Sequence, residues 1–197
     1  MNKIILTLTA VMILSFAACA QNKGEKSMLT ENKPLVVYFS ATGTTAKAAR
    51  TIAEVTGGTL YEIVPQQVYT PDDLDWNDRK SRSSVEMNNP QARPALKDMK
   101  LDIAAYDVIF IGYPIWWNQA PRIINSFIES HDLKGKTLVP FATSGGSGIT
   151  GSVKDLKRAY PDLKWQDGKL LNGASRNTVQ NWVNNMFPYI PKKLAMN

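Results

Sequence analysis

The chain has 197 residues, one cysteine, one histidine and a formal charge of +6. Those numbers exclude a disulfide framework and leave too few soft ligands for a zinc or iron–sulfur centre. The basic surplus suits anionic lipid or acidic partners, but no arginine-rich block or alternation of aromatic and basic residues points to nucleic acid, and no internal repeat is present.

Residues 1–18 read as a targeting segment, with Lys3, an apolar core from Ile4 to Leu14 and small residues before Cys19. The apolar run is too short for a membrane span and has the length of a secretory signal. Phe16-Ala17-Ala18-Cys19 resembles the lipobox of bacterial lipoproteins, which makes Cys19 the expected lipid attachment site. Residues 19–33 are polar and aperiodic and read as a lipid-anchored flexible tether. The expected location is therefore extracytoplasmic, on a bacterial membrane and facing the periplasm. The remaining residues, 34–190, are enough for one domain with a proper core.

Apolar strand-like runs then alternate with helical patterns, which predicts a parallel sheet with helices on both faces. The first strand, Leu35–Phe39, ends in Ser40-Ala41-Thr42-Gly43-Thr44-Thr45, and a helix follows from about Thr44 to Val55, stopping at Gly57-Gly58. Strand, hydroxyl-rich turn and helix N-terminus together can capture a phosphate through free N–H groups and the positive end of the helix dipole. No lysine sits in the turn, as Walker A would require, so a monoester phosphate held by neutral donors fits better than a nucleoside triphosphate. An ordinary helix start would share the same local pattern.

The second strand is Thr59–Val64. Residues 65–93 are polar with scattered aromatics and arginines, and Thr70-Pro71-Asp72-Asp73 is a helix start. So long a connection is either a flap over a ligand or a surface segment packed on the domain. Asp107–Gly112 is the third strand and runs into a loop, Tyr113-Pro114-Ile115-Trp116-Trp117, before a helix with Ile123, Ile124, Phe127 and Ile128 on one face. Thr137–Ala142 is the fourth strand, followed by Thr143-Ser144-Gly145-Gly146-Ser147-Gly148 and a helix that stops before Pro161. A fifth strand lies in Lys164–Leu171, and Ser175 caps a last helix with Val179, Trp182, Val183 and Met186 on its core face.

In a doubly wound five-stranded sheet of order 2-1-3-4-5, the ligand crevice lies beyond the carboxyl ends of strands one and three. The loops after strands one, three and four all open there. Ser40, Ala41, Thr42, Gly43, Thr44 and Thr45 would hold a phosphate. Pro114, Ile115, Trp116 and Trp117 suit a large flat ring. The backbone of Thr143, Ser144, Gly145, Gly146 and Gly148 can approach a polar ring edge. A phosphate at one end and a flat ring with polar edges at the other describe flavin mononucleotide, FMN.

These three motifs resemble the flavodoxin-like family over roughly residues 34–187. Ser40 to Thr45 matches its phosphate-binding pattern, Ser/Thr-x-Thr-Gly-x-Thr, and the other two loops are similar to those that hold the isoalloxazine. Asp73-Leu74-Asp75-Trp76 with Ser81-Arg82-Ser83 looks like a bacterial subgroup rather than the short acidic carriers. The resemblance implies an FMN redox protein with no catalytic acid or base, exchanging electrons with a partner protein or a quinone-like small molecule. The basic, exported chain departs from the acidic cytoplasmic carriers. Its fourth-strand loop also lacks the aromatic that usually stacks on the ring, which favours an FMN-dependent NAD(P)H or quinone-type reductase as the alternative. A cofactor-free binding module is a third reading.

Two rival motifs are weaker. Gly146-Ser147-Gly148-Ile149-Thr150-Gly151 is a literal Gly-x-Gly-x-x-Gly with Asp167 near the distance of a ribose partner, but it follows the fourth strand. His131 and Asp132 have no Gly-x-Ser-x-Gly elbow and read as a helix terminus.

Overall fold

The computed structural model describes residues 34–97 and 101–188. The signal segment, Cys19, the tether and the last residues of the expected domain lie outside them. In chain order the elements are β1 (Leu35–Tyr38), α1 (Thr44–Thr56), β2 (Thr59–Glu62), a 3-10 turn (Asp72–Leu74), α2 (Arg82–Asn88), β3 (Val108–Pro114), α3 (Arg122–Glu129), β4 (Thr137–Thr143), α4 (Thr150–Ala159), β5 (Lys164–Trp165), β6 (Lys169–Leu170) and α5 (Arg176–Met186).

All strand pairs are parallel and the order is β2-β1-β3-β4-β5, with β6 also on β4. The doubly wound order expected from the sequence is the one observed. Strand periodicity divides the side chains between two cores. Leu35, Val37, Ile109, Ile111 and Leu138 face Ile123, Ile124, Phe127 and Leu156 on one side. Val36, Val108, Phe110, Val139 and Phe141 face Ala49, Ile52, Val55, Val179 and Val183 on the other. The three central strands are buried throughout, apart from partly exposed Pro114, as parallel strands covered on both faces must be.

The first and second strands end at Tyr38 and Glu62, one and two residues earlier than expected, and the third begins one residue later, at Val108. The third strand extends through Tyr113 and Pro114 because their register continues onto Ala142 and Thr143, so Tyr113 is fully buried rather than part of a loop. Thr143 likewise ends β4. The fifth strand is interrupted between Trp165 and Lys169. On β4, Leu138 and Ala142 accept hydrogen bonds at this edge from Gln166 N and Leu171 N, both 2.8 Å. The alternate position between them is Pro140, which faces the same edge and has no N–H to give.

The long connection after β2 is closed at its base. Gln66 N donates to Ala95 O (2.8 Å) and Lys97 N to Val64 O (2.9 Å). At the expected helix start, Thr70 N donates to the Asp73 carboxylate (2.8 Å) and Asp73 N to the Thr70 hydroxyl (3.2 Å), yet only the 3-10 turn follows. The real helix is α2, whose cap Ser81 accepts from Ser84 N at 3.3 Å.

Candidate functional site

The N-terminus of α1 begins at Gly43, held at φ +83. That left-handed conformation costs an L-residue roughly 1–2 kcal/mol and costs glycine little. Gly43 offers no side-chain cap, and the first turn of α1 carries no acid. Ser40 Oγ accepts from Ala46 N at 3.2 Å, which leaves its own hydroxyl hydrogen free to donate. Thr42 and Thr44 are exposed, with their hydroxyls 3.4 Å apart. The dipole and the N–H groups of Thr44 and Thr45 therefore face an open, anion-favouring turn.

Thr45 has a different place. Its hydroxyl is buried and lies 2.8 Å from that of Thr143 at the end of β4. The pair ties the phosphate turn to the start of the glycine-rich loop across 98 residues of sequence. Replacing Thr45 by Val should destabilise the protein by about 1–3 kcal/mol, because Thr143 is left buried without its partner. The double replacement of Thr45 and Thr143 by Val should recover most of that loss. Urea unfolding of the three variants measures both.

The ring-sized space is a 330 Å³ pocket lined by Ala41, Thr42, Pro114, Ile115, Trp116 and Trp117, and closed by Leu74, Trp76 and Ser83 from the long connection. That connection thus forms a wall of the pocket, as expected of a flap. None of the lining side chains ionises. Trp116 is half-buried and meets Phe39 and Tyr69 edge-on, at 5.7 and 5.4 Å between centroids. Trp116 and Gln119 exchange backbone hydrogen bonds (3.0 and 2.9 Å) around Trp117 and Asn118, both at positive φ. This strained two-residue turn presents the Trp117 indole, 46% exposed, at the pocket rim.

Tyr69 pins the wall. Its ring lies 3.9 Å beneath the Arg82 guanidinium. Its hydroxyl donates to Glu86, which also binds Arg82 Nε at 2.6 Å. Burial first, and then the hydrogen bond to Glu86, pushes the Tyr69 phenol well above its ordinary range. The Tyr69–Arg82–Glu86 set is not evident in the sequence. The Ser81 cap and the i,i+4 spacing of Arg82 and Glu86 are the only local signals of it.

The glycine-rich loop after β4 is held by Asn172, another residue with no sequence signal. Asn172 accepts from Ser144 N at 2.8 Å and donates back to Ser144 O. Ser144 Oγ accepts from Gly146 N (3.2 Å) and Ser147 N (2.8 Å), so those N–H groups are already used. Gly145 and Gly148 keep theirs without an acceptor among the described residues. A Cβ built on Gly145, Gly146 or Gly148 meets nothing within 4 Å, and none of the three has a positive φ. Neither packing nor backbone conformation demands glycine there. The space they leave fits a ligand edge approached by bare backbone.

The two rival motifs serve packing and helix termination instead. At Gly151 a Cβ would lie 2.4 Å from the Asn118 side chain, so the glycine gives room to the turn that carries Trp117, and Asp167 pairs with Lys157 at 3.1 Å. His131 Nδ1 lies 2.9 Å from Phe127 O at the end of α3, as a helix-terminal histidine does. No metal-holding group of three or more His, Cys, Asp or Glu occurs among the described residues.

Tyr113, behind the pocket, carries a pH prediction. Burial pushes its phenol up to about 12, partly offset by the hydrogen bond with Ser152 at 3.2 Å. The folded state then holds the phenol proton above pH 10, where the unfolded chain releases it. Stability is intact below pH 10 and falls by on the order of 3 kcal/mol as pH rises from 10 to 12. Tyr113→Phe should make the slope of alkaline unfolding curves shallower without abolishing it, because Tyr69 and Tyr160 are raised as well.

The sequence matches the family model described as Flavodoxin over residues 33–186. No curated protein matches it significantly. Among solved structures, a protein from Bacteroides eggerthii provisionally classed as a flavoprotein shares 59% identity, with a TM-score of 0.76 over 79% of this chain and 98% of its own. One from Bacteroides uniformis, classed in the same way, shares 58% identity, with a TM-score of 0.76 over 78% and 98%. A Lactobacillus acidophilus flavoprotein in complex with FMN shares the fold at 20% identity, with a TM-score of 0.62 over 80% and 99%. With the family model spanning every strand and helix of the described domain and the hydroxyl-rich turn, indole loop and glycine loop gathered at one end of the sheet, the chain belongs to the flavodoxin family.

Proposed function

We propose that this protein is an FMN-dependent electron-transfer flavoprotein that works outside the cytoplasm, anchored to a bacterial membrane through Cys19. The cofactor is FMN. The observation that carries the reading is a helix start with open N–H donors beside a 330 Å³ aromatic pocket that has no ionisable lining. Such a pocket supplies no acid or base, so the chemistry comes from the bound group. FMN supplies one- or two-electron transfer when held there.

The residues divide the work. Ser40, Thr42 and Thr44, with the first N–H groups of α1, bind the phosphate. Trp116 and Trp117 position the ring and keep water from its faces, and the backbone of Gly145 and Gly148 meets its polar edge. The Thr45–Thr143 pair holds the two loops in register.

One observation favours a reductase as the second reading. Trp76 lines the pocket yet is 71% exposed, leaving an aromatic face at the rim for a planar substrate such as a quinone. Stopped-flow reduction of the FMN-loaded protein with NADH, NADPH and quinols separates the two. Turnover with a small molecule makes it a reductase, and exchange only with a protein partner makes it a carrier. Cys19→Ala should move the protein from the membrane to the soluble fraction. Retention in the membrane would remove the anchor.

A further inference from the structure

A 630 Å³ cavity lies between the end of α2, the start of α3 and α4, apart from the ring pocket. Its volume is that of a small-molecule site. The lining includes three arginines and two carboxylates, and four of these five groups are matched. Arg93 grips Glu129 through two hydrogen bonds, at 2.7 and 2.8 Å. Arg158 pairs with Asp155 at 2.5 Å.

Arg122 is the group left over. It is 8% exposed, and no carboxylate comes within ion-pair distance of it among the described residues. Nη2 donates to Met87 O at 2.9 Å and Nε to Glu86 O at 3.4 Å, so two donors cap the end of α2. Nη1 has no acceptor among the described residues. Burial and the like charge of Arg93 both weaken this guanidinium's hold on its proton, and Asp155 opposes them. The free Nη1 is the donor left to the cavity, and an anion that enters beside it gains a charge-assisted hydrogen bond.

The surroundings are donors too. Arg122 is the first residue of α3, whose cap, Pro121, makes no side-chain hydrogen bond; Ile124 N donates to Pro121 O at 2.9 Å, which leaves the N–H groups of Arg122 and Ile123 as the uncapped pair of that turn. Gln119 and Asn125 also line the space; Asn125 Nδ2 donates to Tyr160 OH at 2.9 Å, which leaves it one further N–H.

We propose that this cavity binds a small organic anion, a carboxylate or a phosphate ester, with Arg122 as its cation. The planar guanidinium fork favours either group over a simple halide. The site stands independently of the flavin reading, because it shares no lining residue with the ring pocket.

The test is a titration of the isotope-labelled protein with sodium acetate and, separately, sodium phosphate at constant ionic strength, followed by NMR. The expected result is saturable movement of the Arg122 Nε–Hε signal and the Gln119 and Asn125 amide signals. Saturation with acetate alone identifies a carboxylate ligand, and saturation with phosphate alone a phosphate ester. Movement confined to Gly43–Ala46, or a linear drift with no saturation, would overturn the proposal. Arg122→Lys keeps the charge but loses the fork, and should weaken binding at least tenfold at the Gln119 and Asn125 signals. Equal affinity in that variant would remove Arg122 from the site. Should the variant not fold, the wild-type map decides alone.

Discussion

Gly112→Ala should lower the stability of the protein by about 3 kcal/mol, at the upper end for overpacking a core. In β3, Gly112 pairs with Phe141 of β4, and a Cβ built on Gly112 would lie 2.1 Å from the tip of the Phe141 ring. Phe141 is fully buried and packs in the core beneath α1 and α5, so the ring cannot swing out to solvent. The backbone has little freedom either, because Gly112 O accepts from Phe39 N at 2.9 Å at the mouth of the crevice. In a domain of this size the loss corresponds to a fall of roughly 6–12 °C in unfolding temperature. Adding Phe141→Leu to Gly112→Ala should restore part of it, since the shorter side chain vacates the space the methyl needs. Thermal unfolding that leaves Gly112→Ala unchanged would show that the β3–β4 packing is looser than described.

Gly43→Val should have the largest effect on cofactor affinity. Gly43 stands at φ +83, which a β-branched residue adopts only under strain. The chain either keeps the turn at a cost or rotates the Thr44 and Thr45 N–H groups away from the phosphate. A loss of about 3 kcal/mol in binding corresponds to a rise of roughly a hundredfold in the FMN dissociation constant. Nothing lies within 4 Å of a Cβ at this position, so the core packing should stand, and the fall in stability should be limited to the strain of the turn, roughly 1–2 kcal/mol. Fluorescence titration and thermal unfolding on the same variant separate affinity from stability. Thr42→Val should weaken FMN binding without the stability loss expected of Thr45→Val, since Thr42 is exposed and Thr45 is buried.

What can be read from the sequence follows the range of each interaction. The turn after β1 is legible because a strand, a hydroxyl-rich turn and a helix start are neighbours in the chain. The strand order is legible because fully apolar runs separated by helices leave few arrangements. Pro140 carries a local sign of the break in the fifth strand, since it cannot donate to a neighbour, but which edge it faces depends on pairing with segments 24–30 residues away. The clamp of Asn172 on Ser144 and the Thr45–Thr143 pair span 28 and 98 residues. Neither residue type announces such a partner. Nothing local marks Arg122, and only the placement of Glu86 and Met87 shows that backbone carbonyls face it.

That one end of the sheet holds a phosphate and a flavin ring together is tested most directly by two parallel titrations. The purified protein is titrated with FMN and with riboflavin, and quenching of flavin fluorescence is followed. The expected result is saturable one-to-one binding of FMN and an affinity for riboflavin weaker by about a hundredfold, because the turn at Gly43 contributes only when a phosphate is present. Equal affinities would contradict the phosphate assignment, and no binding of either would contradict the flavin site itself.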